Sequence, residues 1–425
     1  MNRFQQLWDY GVKVFGLYEF LKRYQDSRVN PQHSSAAIIS LFMCSIAARA
    51  GSLYQVERMG KSGELDRLMR GRKKPSADTM GYAAERASVD QLKGYGASMI
   101  QKARRNKVHP FGTYRGWRVC AVDGTEVYST KSPCAKAFEW SKRRLSSNGE
   151  EEFYERALAI SYVGAQPRLV LTMERISPGE GEVMAAIRAL EDLRLRNHRY
   201  CDIICADALY AKAPFINAVI EQNMHVLVKV KQDYYQLVRD MDGLMAAEPP
   251  QVFYGVTSRD EPIMSNHGVS YDVELWDAEG LTSWEQVNCP LRCVKVRETK
   301  KVTSGGEIVS ETVSEYHIAT TVPIAIMKPL LVWEIAHRRW DIENTVFNDL
   351  KQNWGFRHCY THDPNGIRAV YALYCIVFNL MLLFAYKNLK GAPRRGVTLK
   401  ELARQIMVGT QTLAQPLPIP PRGSG

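Results

Sequence analysis

Apolar residues recur at helical spacing through Trp8, Val12, Phe15, Tyr18 and Leu21, and a second apolar run covers 36–50, so the chain is predicted to start as helices. Ser76-Ala-Asp78-Thr79 has the composition of an N-cap, and Met80, Ala83, Ala84 and Ala87 give the short helix behind it an apolar face. Another helix is expected over about 89–103. At Arg118 the texture changes. Val119-Cys-Ala-Val122 reads as a strand closed by Asp123-Gly124, and 156–163 with 168–176 read as a hairpin around Gly164-Ala-Gln-Pro167. A helix over 181–197, a strand over 201–206 ended by Asp207, a helix over 211–222 and a strand over 225–230 follow. This order predicts an α/β core with Asp123 and Asp207 at the tips of two strands, where α/β sheets place ligands.

From about 245 to 325 strands dominate, at 251–256, 269–275, 291–298 and 316–321, separated by Gly and Asn turns. Pro329 then opens a helix expected to run through Glu343 to about Asn353. A nearly all-apolar helix over 366–389 and an amphipathic one over 399–407 precede a Pro-rich tail from Gln415, expected to be disordered. The chain therefore divides into a helical region at 1–107, a first part of the α/β core at 108–244, a β-rich insertion at 245–326, a last part of the core at 327–390, and a C-terminal helix with its tail at 391–425.

A formal charge of +11, from 56 Lys plus Arg against 45 Asp plus Glu, favours a polyanionic partner. Two basic clusters, one containing Arg72, Lys73 and Lys74 and the other Arg104 and Arg105, suit contacts to a nucleic-acid backbone; solvated helix faces and a linker are the plainer alternative. The nine scattered cysteines read as buried thiols of a reducing compartment, and no histidine follows the Cys201/Cys205 or Cys289/Cys293 pairs at zinc-finger spacing. The start of the chain lacks the signature of a signal peptide, which leads to the expectation of a cytoplasmic protein. The apolar run 367–386 contains Arg368 and Asn379 and is expected to be a buried helix, with no membrane partner. No glycine-rich phosphate loop points to a nucleotide-using metabolic enzyme.

The stretch Trp340-Asp-Ile-Glu343-Asn-Thr-Val-Phe-Asn-Asp-Leu-Lys351 concentrates the candidate chemistry. Arg339 and Glu343 are four apart and share a helix face. Such a face is either an ordinary ion-paired surface or a metal-binding carboxylate whose basic neighbours hold phosphate. Asp123 and Asp207, isolated acids at strand ends, favour the second.

In order, spacing (84 and then 136 residues) and element type, Asp123, Asp207 and Glu343 resemble the DDE triad of bacterial insertion-sequence transposases, in the branch with a β-rich insertion between the second Asp and the Glu. The resemblance covers about 118–389 and rests on Val-Cys-Ala-Val-Asp123-Gly-Thr, Cys-Ala-Asp207-Ala-Leu-Tyr210 and Arg339-Trp-Asp-Ile-Glu343. It implies a ribonuclease H-like catalytic core interrupted by a β-rich insertion, with an α-helical N-terminal DNA-binding region. The implied partners are double-stranded DNA, as terminal inverted repeats and target, and a second copy of the chain in a synaptic homodimer. The implied cofactor is Mg²⁺, with Mn²⁺ able to substitute: two ions about 3.5–4 Å apart that activate a water or 3′-hydroxyl and stabilise the leaving oxygen of a phosphodiester. Asp123 would bridge both ions, with Asp207 and Glu343 holding one each. Arg339 and Lys351 map onto basic residues that hold DNA near the cut, while Trp333 and Trp284 become candidates for stacking on a flipped base, core packing being the alternative for either. Two positions depart from the pattern. Ala336 stands where many members have a tyrosine, and Leu350 where they have the lysine, which here comes one residue later. A Mg²⁺-dependent endonuclease on the same fold, without strand transfer, would use the same acids.

Overall fold

The computed structural model describes residues 2–63, 66, 73–131, 142–197, 199–231, 236–257, 267–389, 396–412 and 419–420. The first hundred residues are helical. Gly16, at φ 70°, splits the first apolar stripe into α1 (Arg3–Phe15) and α2 (Leu17–Arg23), a turn that a side chain would strain. α3 (Ser35–Ala47) is buried almost all round. It is followed by α4 (Leu53–Lys61), α5 (Ala77–Glu85) and α6 (Val89–Arg105). The expected cap forms at α5, where Ser76 Oγ accepts from the Thr79 N–H at 3.2 Å.

A ten-stranded sheet follows. Its central strand β1 (Val119–Thr130) pairs antiparallel with β3 (Glu151–Tyr162), which also carries β2 (Lys142–Leu145) and β4 (Val170–Arg175). β2 is a short cationic strand, and 132–141 before it lie outside the described residues. On the other side, β1 runs parallel to β5 (Ile203–Ala206), and β5 to β6 (His225–Val230). Helices α7 (Glu182–Arg196) and α8 (Ala213–Ile220) make the crossovers, and α9 (Gln236–Leu244) precedes the insertion. The architecture is a ribonuclease H-like α/β core interrupted by a β-rich insertion behind a helical N-terminal region.

The insertion is not a separate sheet. Its strands β7 (Gln251–Val256), β8 (His267–Leu281), β9 (Leu291–Ser304) and β10 (Glu307–Thr320) join the core because His317–Thr320 of β10 pair with Leu227–Val230 of β6. The strands β9 and β10 run well past their expected ends, to the turn at Gly305-Gly306.

The chain returns to the core through α10 (Pro329–Arg338), a π-helical turn Ile342–Phe347 and α11 (Asn348–Asn353). α12 (Pro364–Leu383) is long and apolar enough to cross a membrane, but 94% of its apolar window is buried within the fold. It packs on α6, α5, α3 and β4. Its one interior amide is satisfied there: Asn379 accepts from Val170 N–H at 2.8 Å and donates to Val170 O at 2.7 Å, completing the free edge of β4. α13 (Leu399–Gln411) closes against α1. Of the tail expected to be disordered, only 419–420 are among the described residues, and Ile419 is buried.

Candidate active site

β1 and β5 are parallel neighbours with Ala121 opposite Cys205, so Asp123 and Asp207, each two residues further on, come level. The expected closure of the first strand at Gly124 does not occur, since β1 continues to Thr130 against β3. What stops is β5: Asp207 turns out of it and caps a 3₁₀ turn, its Oδ1 accepting from Leu209 N–H at 2.8 Å. Asp123 is therefore left on a strand whose parallel neighbour has just ended.

Glu343 arrives from the other side of the sequence. Arg339 Nη1 donates to Asp123 Oδ2 at 2.9 Å and to Glu343 Oε1 at 2.8 Å, so one buried guanidinium joins the first and third acids. Burial is the largest influence on Asp123. Together with hydrogen bonding to Glu343 and the charges of Glu343 and Asp207, it pushes the Asp123 carboxyl up to about 8, with Arg339 opposing. The neighbouring Asp341 has a different task. Its Oδ2 accepts from Gly164 N–H at 2.9 Å and its other oxygen meets Arg168 at 3.3 Å, which pins the helix to the β3–β4 turn.

The uninterrupted α-helix expected here contains the π turn, which takes up about one residue more than an α turn. A π turn followed by an α turn brings residues eight apart back to one side. Lys351 Nζ accordingly reaches Thr125 Oγ1, two residues from Asp123 on the same face of β1, while Leu350 is fully buried. Burial and Arg357 lower the Lys351 ammonium below its ordinary range, opposed by Glu126.

Three further residues shape the site without a signal in the sequence strong enough to single them out. Glu182 lies beneath β1, accepts from Tyr210 OH at 2.8 Å and pairs with Arg156. Gly124 faces it, and a Cβ there would stand 2.3 Å from the Glu182 carboxyl carbon. Gly124→Ala is expected to destabilise the protein by about 2 kcal/mol, the range for overpacking, as measured by chemical denaturation. An unchanged midpoint would show that Glu182 can step aside. Lys229, on β6, lies 3.8 Å over the Tyr316 ring, with its ammonium lowered by burial first and by Arg339.

Several sequence expectations need correction. Trp333 is wholly buried, its Nε1 donating to Glu298 at 2.7 Å, and Trp284 is also buried, so neither offers a face to a base. The exposed indole beside the acids is Trp340, under Arg339 at 4.5 Å. Lys74 donates to Gly60 O and pairs with Asp66, so its charge is used within the fold. Lys73 is exposed, and Arg72 lies outside the described residues. Arg104 and Arg105 end α6 beside Arg118, which precedes β1 five residues before Asp123; they are not gathered with the acids.

Among the described residues no three His, Cys, Asp or Glu side chains close around an ion as they stand, and Arg339 occupies the space between Asp123 and Glu343. The donor chemistry nonetheless fits a hard cation. The acids offer only carboxylate oxygens. Glu343 and Asp207 both push the Asp123 carboxyl upward while Arg339 opposes them, so the three acids lie within electrostatic reach of one another.

Residues 115–380 match the family model described as the transposase DDE domain, a span that contains all three acids. The chain belongs to that family. At the level common to this superfamily it is a transposase-type enzyme with metal-dependent, nuclease-type chemistry. No curated protein matches the chain. Among solved structures it is similar to piggyBac transposase, in a synaptic complex with hairpin DNA, at 8% identity and a TM-score of 0.43, over 96% of this chain and 79% of that one.

Proposed function

We propose that this DDE-family chain is the transposase of a bacterial insertion sequence, with Asp123, Asp207 and Glu343 as its catalytic, metal-binding carboxylates. On this reading it binds the terminal inverted repeats of its element as a homodimer and performs Mg²⁺-dependent cleavage and strand transfer in the cytoplasm, on nucleoid DNA. Mn²⁺ would substitute for Mg²⁺. The observation that carries the reading is the meeting of Asp123, level with Asp207 on adjacent parallel strands, with Glu343 through a single guanidinium.

When bound by the three carboxylates, two divalent ions would activate the attacking oxygen and stabilise the leaving one. The protein's own groups then have separable tasks. Asp123, between the other two acids, is placed to share its carboxylate, with Asp207 and Glu343 each serving one side. Arg339 is already held among the acids and is the nearest cation to a phosphate brought to them. Lys351 supplies a second positive charge beyond Thr125. Residues 1–107 are assigned to DNA contacts.

The test is an assay of Mg²⁺-dependent cleavage and end joining on the inverted repeats flanking the gene, comparing the native chain with Glu343→Gln. A fall of about a thousandfold with DNA binding retained is expected, since losing a metal ligand removes several kcal/mol of transition-state stabilisation. Cleavage without joining would make the protein an endonuclease. Equal activity in both proteins would remove Glu343 from the site.

A further inference from the structure

The end of the sheet away from the acids carries a second concentration of charge. Two adjoining clefts of about 550 and 1040 Å³ share Arg104 and Arg118 in their walls. The first also takes Arg105 from the end of α6; the second takes Arg194, Asn197 and Arg199 from the end of α7 and the loop to β5. Arg118 precedes β1 and Asp123 lies five residues along it, so these clefts open roughly 16 Å from the acids, at the strands' other ends.

Part of the charge here is not consumed by the fold. Asp202 in the wall is taken by Arg118, whose Nη2 and Nε donate to it at 2.6 and 3.1 Å. The side chains of Arg105, Arg194 and Arg199 are exposed and have no hydrogen-bond or ion-pair partner among the described residues. Glu221, also in the wall of the larger cleft, is the opposing charge. An independent observation comes from Asn197, which is 1% exposed and lines the larger cleft with neither side-chain Nδ2 nor Oδ1 hydrogen-bonded. A buried amide left without partners costs about 1–3 kcal/mol, and such a group in a cleft wall calls for a ligand.

We propose that these clefts form a second DNA-binding track, separate from the acid site, which holds the phosphates of a duplex through Arg105, Arg194 and Arg199, with Asn197 donating to the backbone. Guanidinia from three chain segments, spread along adjoining open clefts, suit a row of phosphates rather than one enclosed small anion. A duplex held there cannot have the same contacted stretch at the acids, so the track serves a second segment of DNA. The proposal rests on the reading that the chain handles DNA but not on the assignment of the three acids.

The experiment is titration of the full chain with a fluorescent duplex of random sequence, in chelator so that no metal chemistry occurs, over salt from about 50 to 200 mM. Arg194→Ala combined with Arg199→Asn is the main variant; asparagine suits position 199 because its φ of 49° is left-handed. The slope of log affinity against log salt is expected to become shallower by about two, one for each phosphate that the variant no longer neutralises. Asn197→Ala should bind DNA about tenfold more weakly while melting no lower than the parent, because the amide has no partner to lose within the fold. An unchanged salt slope in the double variant would overturn the track, as would an Asn197→Ala protein that melts lower and binds as before. A shallower slope in a protein that fails to cleave with Mg²⁺ would keep the track and remove the triad.

Discussion

Asp123→Asn is expected to yield a protein that cuts no DNA with Mg²⁺ yet melts higher than its parent in metal-free buffer at neutral to mildly alkaline pH. In the folded chain the Asp123 carboxyl titrates at about 8, raised by burial first and by Glu343 and Asp207, whereas an unfolded aspartate titrates near 3.9. Between those values the folded state retains a proton that the unfolded state has lost, and stability falls as pH rises. The favourable contribution of this group is complete below about pH 4 and lost through about pH 8. Asparagine keeps the shape and has nothing to ionise, so the variant should lose that slope and gain at least about 1 kcal/mol near pH 8, a few degrees in melting temperature. Arg339 would keep Glu343 as its partner. Added Mg²⁺ should raise the melting temperature of the parent, as any ligand specific to the native state does, and leave the variant unmoved. Thermal scans from pH 5 to 8 with and without Mg²⁺ check this. A variant melting below the parent throughout would mean that the Arg339–Asp123 ion pair outweighs the burial and repulsion.

The second large effect is expected at Glu298, a residue of the insertion that touches no acid of the site. Its Oε2 accepts from Trp333 Nε1 at 2.7 Å, His337 Nε2 at 2.8 Å and Tyr316 OH at 3.0 Å, joining β9 and β10 to α10. Burial would raise its carboxyl, but the His337 contact and then the Trp333 and Tyr316 hydrogen bonds win and hold it below the ordinary range. Its stabilising contribution is therefore present above the unfolded carboxyl value and lost as pH falls through the folded one. Glu298→Ala strands a wholly buried indole N–H and a tyrosine hydroxyl, and is expected to destabilise the protein by about 3 kcal/mol. Glu298→Gln, which keeps an acceptor, should recover part of this. Because α10 leads directly into Arg339 and Glu343, the alanine variant should also slow Mg²⁺-dependent cleavage more than it weakens DNA binding. A urea midpoint within about 1 kcal/mol of the parent would show that the cluster repacks around the loss.

What the sequence reveals and what it hides follow different physics. Local periodicity carries the helices and core strands, so the order of elements and the placing of Asp207 just past a strand end are legible in the residues alone. Adjacency is not local: that β1 lies beside β5, and β10 beside β6, is decided by ladders between segments far apart in the chain. The strand end misread at Gly124 has the same cause, since Asp-Gly commonly marks a turn and only the pairing with β3 carries β1 onward. An aromatic residue does not declare by its type whether it packs inward, so neither Trp333 on its helix nor Trp284 in the loop after β8 shows its burial in the sequence. The displaced lysine is the most instructive case. As an α-helix, the segment from Glu343 puts Leu350 where the family pattern has its lysine. The π turn takes up the additional residue, Leu350 goes to the core and Lys351 reaches β1. No composition rule announces a π turn, but a motif residue displaced by one position is the trace it leaves.

The continuous sheet has a mechanical consequence. Four rungs of β10 against β6 fasten the insertion to the core, and beyond them β9 and β10 extend for about ten more residues, roughly 30 Å, to the exposed turn at Gly305-Gly306. Such an arm cannot swivel on a linker; it works as an oar with its rowlock at β6. A small lateral force at the blade becomes a large torque at the rowlock, where Tyr316 and Glu298 bear directly on the helix that leads to Arg339 and Glu343.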